Sequence, residues 1–519
     1  MLKKFFIALL IILTSFAQAS AEKILFIPHD DRPVSFQQPV EVVEQLGYEI
    51  ISPPPEILTQ PDELWTWLDE NAFVTDAAVV SSDALLYGGL IPSRSHQITQ
   101  ETLNARVDNF KKLRDNNPNL KIYAFGSLMR TPQFGTPGDV EEPDYYGQFG
   151  ADIFQYTRLI DKLETSELDS KELEQLDYYM KNIPEEILDD YFVRRDKNIV
   201  ATKKILDLTN AAIISYFVIG RDDNSALSQT HRENRQLLEY IQDIPNAKAQ
   251  SLAGIDEYAM LLLTRAVNDL RGSVPSVNVQ FNRGKGANTV PAYSDEQIGT
   301  SIRDEILITG AIPVSNPERA DLILFVNTDP DGKTYHFHNS FPPQTLSEHE
   351  QKFFRRNAKN FSKMVKNAVN KNLPVGVADV IAANGSDNFL MAQLRDKNLL
   401  FKLQSYAGWN TATNTTGFAL STGILAKHMK RKSINRLLAR RYLDDWAYQA
   451  NVRTQIADEL SKRPDGLAIY INLGEYEAEI VERENYLMHE FAAKNFPRVK
   501  KFFVRNPWHR MFECEINFE

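Results

Sequence analysis

Short apolar runs recur along the chain, and most end in polar residues. In order they are KILFIPHDDRP (23–33), DAAVVSSDALLYGG (76–89), KIYAFGSLMRTP (121–132), AAIISYFVIGRDDNS (211–225), QSLAGIDEYAM (250–260), ADLILFVNTDPDG (320–332), LPVGVADVIAANGSDN (373–388) and LFKLQSYAGWNTATN (400–414). Their apolar residues are continuous rather than alternating, which predicts strands buried on both faces, as in a parallel sheet covered by helices. Segments with apolar residues at three-to-four spacing lie between most of them, at 36–46, 99–116, 227–243 and 351–369, and predict the covering helices. Eight strand-helix units predict an α/β fold, with a (β/α)8 barrel-like parallel sheet as the leading architecture. Two doubly wound αβ lobes meeting at a cleft are the alternative.

Three stretches depart from a plain repeat. Residues 134–207 form an acidic, Tyr-rich, largely helical insertion, and 276–316 read as a small extra αβ unit. From residue 430 the chain turns helical and charged and closes on a strand-containing tail, so 22–429 is expected to be the catalytic domain and 430–519 an accessory one.

A barrel or an open parallel sheet presents its site at the carboxyl ends of the strands, where the polar residues collect. Asp30, Asp31 and Arg32 follow the first run, Asp83 and Tyr87 the second, Arg130 the third, and Asp222 and Asp223 the fourth. Asp256 and Glu257 follow the fifth, Asn327 the sixth, Asp379 and Asn384 the seventh, and Trp409 and Asn410 the eighth. The Asp222-Asp223 doublet stands out, because two carboxylates confined together raise one another's pKa and one can stay protonated near neutral pH. That is the equipment of acid-catalysed hydrolysis: an acid for the leaving oxygen and a carboxylate for developing positive charge. Successive side chains on a strand point to opposite faces, so both can serve one site only if the chain turns, and Gly220 is the candidate for that turn. The competing reading is a solvated turn in which one aspartate caps the following helix.

Composition narrows the partners. Lys3 and Lys4, the apolar run 5–13 and the small residues through Ala21 have the form of a cleavable export signal, with cleavage expected before Glu22 and a periplasmic or secreted product without a membrane anchor. Without that segment 56 basic residues face 69 acidic ones, a charge of about −13, which disfavours nucleic acid and anionic lipid. The single cysteine, Cys514, rules out an internal disulfide. Neither a Walker nor a GxGxxG or GxSxG pattern occurs, so no cofactor is expected, and nothing sets the oligomeric state.

The blocks KILFIPHDDRPV, SSDALLYGGLIPSR, GRDDNSALSQTHREN, GIDEYAMLLLTRAVN and YAGWNTATNTTG together resemble a bacterial family known as domain of unknown function 4127, from about residue 23 to the end. The aspartate doublet after a fourth strand also resembles that of O-GlcNAcase and hyaluronidase-type hexosaminidases, retaining glycosidases in which the substrate's acetamido group is the nucleophile. That resemblance implies that Asp222 orients the acetamide and Asp223 is the general acid and base, with Asn327, Trp409 and Asn410 holding the sugar.

The leading expectation is an exported glycoside hydrolase acting on a carbohydrate substrate, with no metal. One alternative is metal-dependent hydrolysis of a phosphoester or amide, with His29, Asp30, Asp31 and Asp379 as ligands, and His336 with His338 as a weaker pair. The other is a non-enzymatic periplasmic carbohydrate-binding protein.

Overall fold

Among the described residues, eleven strands build two open parallel sheets. In the first, β1 (Lys23–Ile27), β2 (Glu49–Ile51), β3 (Ala77–Ser81), β4 (Lys121–Leu128), β5 (Tyr216–Arg221) and β6 (Ala249–Ala253) lie in the order β2-β1-β3-β4-β5-β6. In the second, β7 (Ser276–Phe281), β8 (Ile312–Pro313), β9 (Leu322–Asn327), β11 (Val375–Asp379) and β13 (Ser405–Ala407) lie in the order β13-β11-β9-β7-β8. The short strands β10 (Tyr335–His336) and β12 (Ala382–Ala383) form a separate parallel pair, and β14 (Phe502–Arg505) and β15 (Glu515–Phe518) an antiparallel hairpin. This computed structural model describes residues 22–135, 141–245, 248–336 and 346–519. The expected export signal and His338 therefore lie outside the described residues.

The α/β class and the parallel strands agree with the hydrophobic pattern, but the barrel does not form. β6 and β7 do not pair, and each sheet keeps two free edges. Counted from its own first strand, each sheet follows the order 2-1-3-4-5, the first sheet adding a sixth strand. Continuous apolar strands are demanded equally by a barrel and by open sheets covered on both faces, so the pattern could not choose between them. The 276–316 stretch, read as an extra unit, is where the second sheet begins: it supplies β7, the helix Ile298–Ile308 and the edge strand β8.

Helices form where the periodicity placed them, at Gln37–Glu44, Gln100–Asn116, Gln229–Ile241 and Glu348–Asn370. Their starts have local causes: Thr99 accepts the Thr102 N–H at 3.2 Å, and Ser347 with Glu350 forms a reciprocal capping box. The 134–207 stretch is helical as expected, in Tyr146–Thr165, Ser170–Asn182 and Glu185–Asn210.

Helices packed on the two sheets meet in one core. Tyr258–Leu270, Ile298–Ile308 and Ala412–Ala426 pack in a single core with Phe26, Val79, Phe125 and Val218 of the first sheet and with Leu322, Leu324 and Val326 of the second. The alternate residues Leu25, Val80, Ala124 and Ile219 face an outer core, as do Ile323, Phe325 and Val377 on the far side of the second sheet. That last core also takes Tyr442, Trp446, Met488 and Ile516 from the C-terminal region, which is thus packed against the second sheet. Every residue of Ala412–Ala426 except Thr422 is buried, as a helix with neighbours all round must be. No helix among the described residues is long and apolar enough to cross a membrane.

The central helix lies very close to the second sheet at Gly423, where an added Cβ would fall 2.7 Å from both Leu322 Cδ2 and Ser405 Oγ. Gly423→Val is expected to destabilise the protein by about 2–4 kcal/mol through overpacking, read as a lower midpoint in urea unfolding. An unchanged midpoint would contradict the close contact.

Candidate active site

The carboxyl ends of both sheets open into one cavity of about 450 Å³. The first sheet contributes Asp30 and Arg32 beyond β1, Leu90, Ile91 and Arg94 beyond β3, Arg130 beyond β4, Asp222 and Asp223 beyond β5, and Asp256 beyond β6. The second contributes Tyr293 beyond β7, Asn384 beyond β11 and Asn410 and Thr411 beyond β13. The wall is completed by Glu141 from the helical insertion and by Leu467, Tyr470, Ile471, Trp508, Arg510 and Phe512 from the C-terminal region.

The aspartate doublet faces this cavity because the strand stops one residue before it. Arg221 is still part of β5 and points away, to Asp295 at 2.9 Å and Glu296 at 3.1 Å. Asp222 and Asp223 sit in the turn, and Asp223 itself has φ +40°, so the reversal expected at Gly220 is made two to three residues later. Gly220 has another duty: a Cβ there would meet the Gly254 carbonyl at 2.7 Å, so glycine lets β6 draw close. Neither aspartate caps the next helix, because Ser228 accepts the His231 N–H and does so itself.

Four guanidinium groups divide the carboxylates among them. Arg94 Nη2 donates to Asp222 Oδ2 at 2.7 Å, and Asp222 Oδ1 has no partner among the described residues. Arg130 Nη1 reaches Asp223 Oδ2 at 3.1 Å while its Nε donates to Glu142 at 2.5 Å. Glu141 draws Arg130 at 3.1 Å, Arg94 at 3.3 Å and Arg510 at 2.6 Å. Arg32 binds Asp30 at 2.7 Å and Asp256 at 2.6 Å. Burying so many charges is tolerable only because each has a partner.

The two halves of the doublet differ electrically. Burial and the Asp222 charge push the Asp223 carboxyl up to about 7, and outweigh the pull of Arg130 and Arg94 in the opposite direction. Burial acts on Glu141 and Asp256 in the same sense, but there the adjacent cations win and hold both well below the usual carboxylate range. The cavity thus offers one carboxyl group that carries a proton near neutral pH beside a carboxylate pinned by arginine.

A family model described as a protein of unknown function, DUF4127, matches residues 24–517. The chain belongs to the DUF4127 family. No curated protein and no solved structure matches it. The family description supplies no chemistry, so the reading of this DUF4127 member rests on its own side chains.

Of the residues singled out by sequence, Asp30, Arg32, Arg130, Asp222, Asp223, Asp256, Asn384 and Asn410 line the cavity of this family member. The others lie elsewhere, each for a visible reason. Asp31 is exposed and accepts the Trp508 indole N–H at 2.7 Å. Asp83 is buried behind the site, where it accepts the Ser127 N–H at 3.0 Å and hydroxyl at 2.7 Å. Tyr87 stacks on His96 with ring centroids 4.8 Å apart, Trp409 is buried against Phe512 at 5.8 Å, and Glu257 is wholly buried, where loss of solvent pushes its carboxyl well above the usual range. Asn327 belongs to a second buried cluster, donating to Asp379 at 2.8 Å, with the Tyr406 hydroxyl on the same carboxyl at 3.1 Å. The metal alternative loses its ligand set in this way, because Asp379 is bound there, Asp31 turns to Trp508, and His29 and Asp30 are taken up around Arg32 and Asp256. Among the described residues no group of three or more His, Cys, Asp or Glu is arranged to hold an ion.

Arg94 and Asn384 were visible as polar residues near strand ends, but Glu141, Tyr293, Trp508, Arg510 and Phe512 carry no such mark. The one local signal is the aromatic and basic density of NPWHRMF (506–512) in an otherwise charged tail. Backbone conformation marks the cavity independently. Eight non-glycine residues have positive φ among those described. Ala212, Asn372 and Asn398 follow helix C-termini, where left-handed residues are routine. Asp223, Tyr293, Asn384 and Trp508 all line the cavity, and His509 is next to Trp508. Each such conformation costs roughly 1–3 kcal/mol, more for bulky side chains, and persists where surrounding contacts impose it.

The Asp223 shift has a consequence for stability. A folded-state pKa raised from 3.8 to about 7 means that the fold favours the protonated group, so stability drains away as pH rises from about 4 to about 7 and then levels off. Asp223→Asn removes the charge and should raise Tm by about 1–3 °C at pH 8 with little change at pH 4. Calorimetric melts across that range check the sign; a larger gain at pH 4 than at pH 8 would refute the raised pKa.

Proposed function

We propose that this protein is an exported glycoside hydrolase, with Asp223 as general acid and base and Asp222 as the carboxylate beside it. The observation that carries this reading is the doublet itself: adjacent carboxyl groups on one cavity wall, one pushed up to about 7 and the other paired with Arg94 at 2.7 Å. The arginines around them are already matched by Glu141, Glu142, Asp256 and Glu513, so the cavity favours a neutral, hydroxyl-rich ligand over a phosphoester. Asn384, Asn410 and Thr411 offer amide and hydroxyl groups to such a ligand, and Trp508, Tyr293 and Phe512 offer aromatic surface.

Within this class the doublet supports substrate-assisted cleavage of an N-acetylhexosaminide. A retaining enzyme with its own nucleophile needs a second free carboxylate across the bond from the acid. The other lining carboxylates, Asp30, Asp256 and Glu141, are each bound to arginine. In the proposed step Asp223 protonates the glycosidic oxygen as the C–O bond breaks, and the substrate's acetamido oxygen closes on the anomeric carbon. Asp222 Oδ1 accepts the acetamido N–H, which makes that oxygen a better nucleophile. Water then opens the cyclic intermediate, giving up its proton to Asp223 and restoring the acid.

Asp223→Asn is expected to lower kcat on a 4-nitrophenyl N-acetylhexosaminide by about 10²–10⁴-fold with the fold intact by circular dichroism. Because the acid must hold its proton, wild-type kcat should fall as pH rises through about 7. Retention of wild-type turnover by the variant would remove Asp223 from the mechanism.

A further inference from the structure

Two aromatic side chains in the cavity are held in place by contacts that the acid-base chemistry does not use. Trp508 lines the cavity at φ +59°, a left-handed conformation that a bulky residue adopts only when its neighbours impose it. Its indole N–H is fixed to Asp31 at 2.7 Å, and the guanidinium carbons of Arg32 and Arg510 lie 5.3 and 4.8 Å from the ring centroid. Both arginines are anchored in turn, Arg32 on Asp30 and Asp256, Arg510 on Glu141 and Glu513. With its single donor committed to Asp31, the indole has only ring surface left for a ligand.

Tyr293 stands at φ +63° and is 39% exposed, with its ring edge-on to His336 at 5.5 Å. It lines the same cavity as Asp223, and burial and the Asp223 charge both raise its hydroxyl pKa. Trp508 lines the same cavity and connects to Asp223 through the chain Arg510, Glu141 and Arg130. Two preset aromatic surfaces lining one cavity with the acid suit successive rings of a saccharide, whose C–H faces pack on aromatic rings while its hydroxyls meet Asn384, Asn410 and Thr411. A cavity of about 450 Å³ has room for a ligand of that size.

We infer that Tyr293 and Trp508 are two successive sugar-ring platforms, so that the substrate of the hydrolase proposed above spans at least two sugar residues. The inference rests on that reading for its chemistry, and a binding measurement separates the two. The wild type, Trp508→Phe, Trp508→Ala, Asp31→Ala and Tyr293→Ala are titrated calorimetrically with N-acetylglucosamine and with its disaccharide and tetrasaccharide. Turnover of the matching 4-nitrophenyl glycosides is followed in parallel.

Wild type should bind the tetrasaccharide at least about tenfold more tightly than the monosaccharide. Trp508→Ala should lose that increment while keeping monosaccharide affinity, whereas Trp508→Phe, which keeps a flat face without the bond to Asp31, should retain most of it. Tyr293→Ala should weaken all three ligands alike. This pattern without turnover of any glycoside would uphold the platforms and sink the hydrolase reading alone. The platforms are overturned by equal affinity for short and long saccharides, by an increment that survives Trp508→Ala, or by no binding of any of the three at about 10 mM. A purely structural clamp is shown if Asp31→Ala matches Trp508→Ala and both lower Tm while affecting every ligand equally. Should Trp508→Ala not fold, loss of the length increment in Trp508→Phe to the same degree as in Asp31→Ala would likewise overturn the proposal.

Discussion

The helical core packed between the two sheets is the constraint on which the rest of the molecule depends. Tyr258–Leu270 packs on β3 and β4 of the first sheet, Ala412–Ala426 packs on β9, β11 and β13 of the second, and the two helices pack on each other, so each is buried between a sheet and a partner helix. Sheets joined through packed helices in this way bring the polar residues at the carboxyl ends of both into one cavity. A ligand crevice beyond the carboxyl ends of open parallel strands is the usual outcome for a single doubly wound sheet, and here two sheets share it.

That juxtaposition sets the electrostatics. Charged residues gathered into a confined space remain charged only with partners close by, and the arginines beyond β1, β3 and β4 and in the C-terminal region pair with the lining carboxylates. The distribution is uneven. Asp222 receives the shorter contact, from Arg94, while Asp223 shares Arg130 with Glu141 and Glu142 and lies against another carboxylate. Burial and the neighbouring Asp222 charge thus raise Asp223 against the pull of its arginines, once the turn has brought both aspartates to one face. Glu141, from the helical insertion, and Arg510, from the tail, are part of the same ion-pair web, so regions distant in sequence hold the doublet in its state.

Local rules are broken most where the cavity is built. Helix starts, strand burial and the left-handed residues after helix ends all follow ordinary backbone preferences. Asp223, Tyr293, Asn384 and Trp508 do not, and they occupy one wall system. Contacts made after folding compensate for each, as the Asp31 bond and the two guanidinium groups do for Trp508. Natural folds concentrate such violations at sites where geometry matters more than local comfort.

The sequence by itself determined the alternation of buried strands and amphipathic helices, the ends of those helices, and the polar residues at the strand ends, including the Asp222-Asp223 doublet. Those features depend on near neighbours: side-chain period, caps and composition. Whether the strands would close into a barrel or divide into two sheets depended on the pairing of β6 and β7 with residues far away, to which period two and period 3.6 are blind. The same holds for the site. Asp31, Asp83, Glu257 and Asp223 look alike as acidic strand ends, and only packing sent Asp31 to an indole, Asp83 and Glu257 into the interior, and Asp223 to the cavity wall. Trp508 and Arg510 are the extreme case: nearly three hundred residues separate them from the doublet, and only the tertiary fold, by burying the tail against the second sheet, made them part of its surroundings.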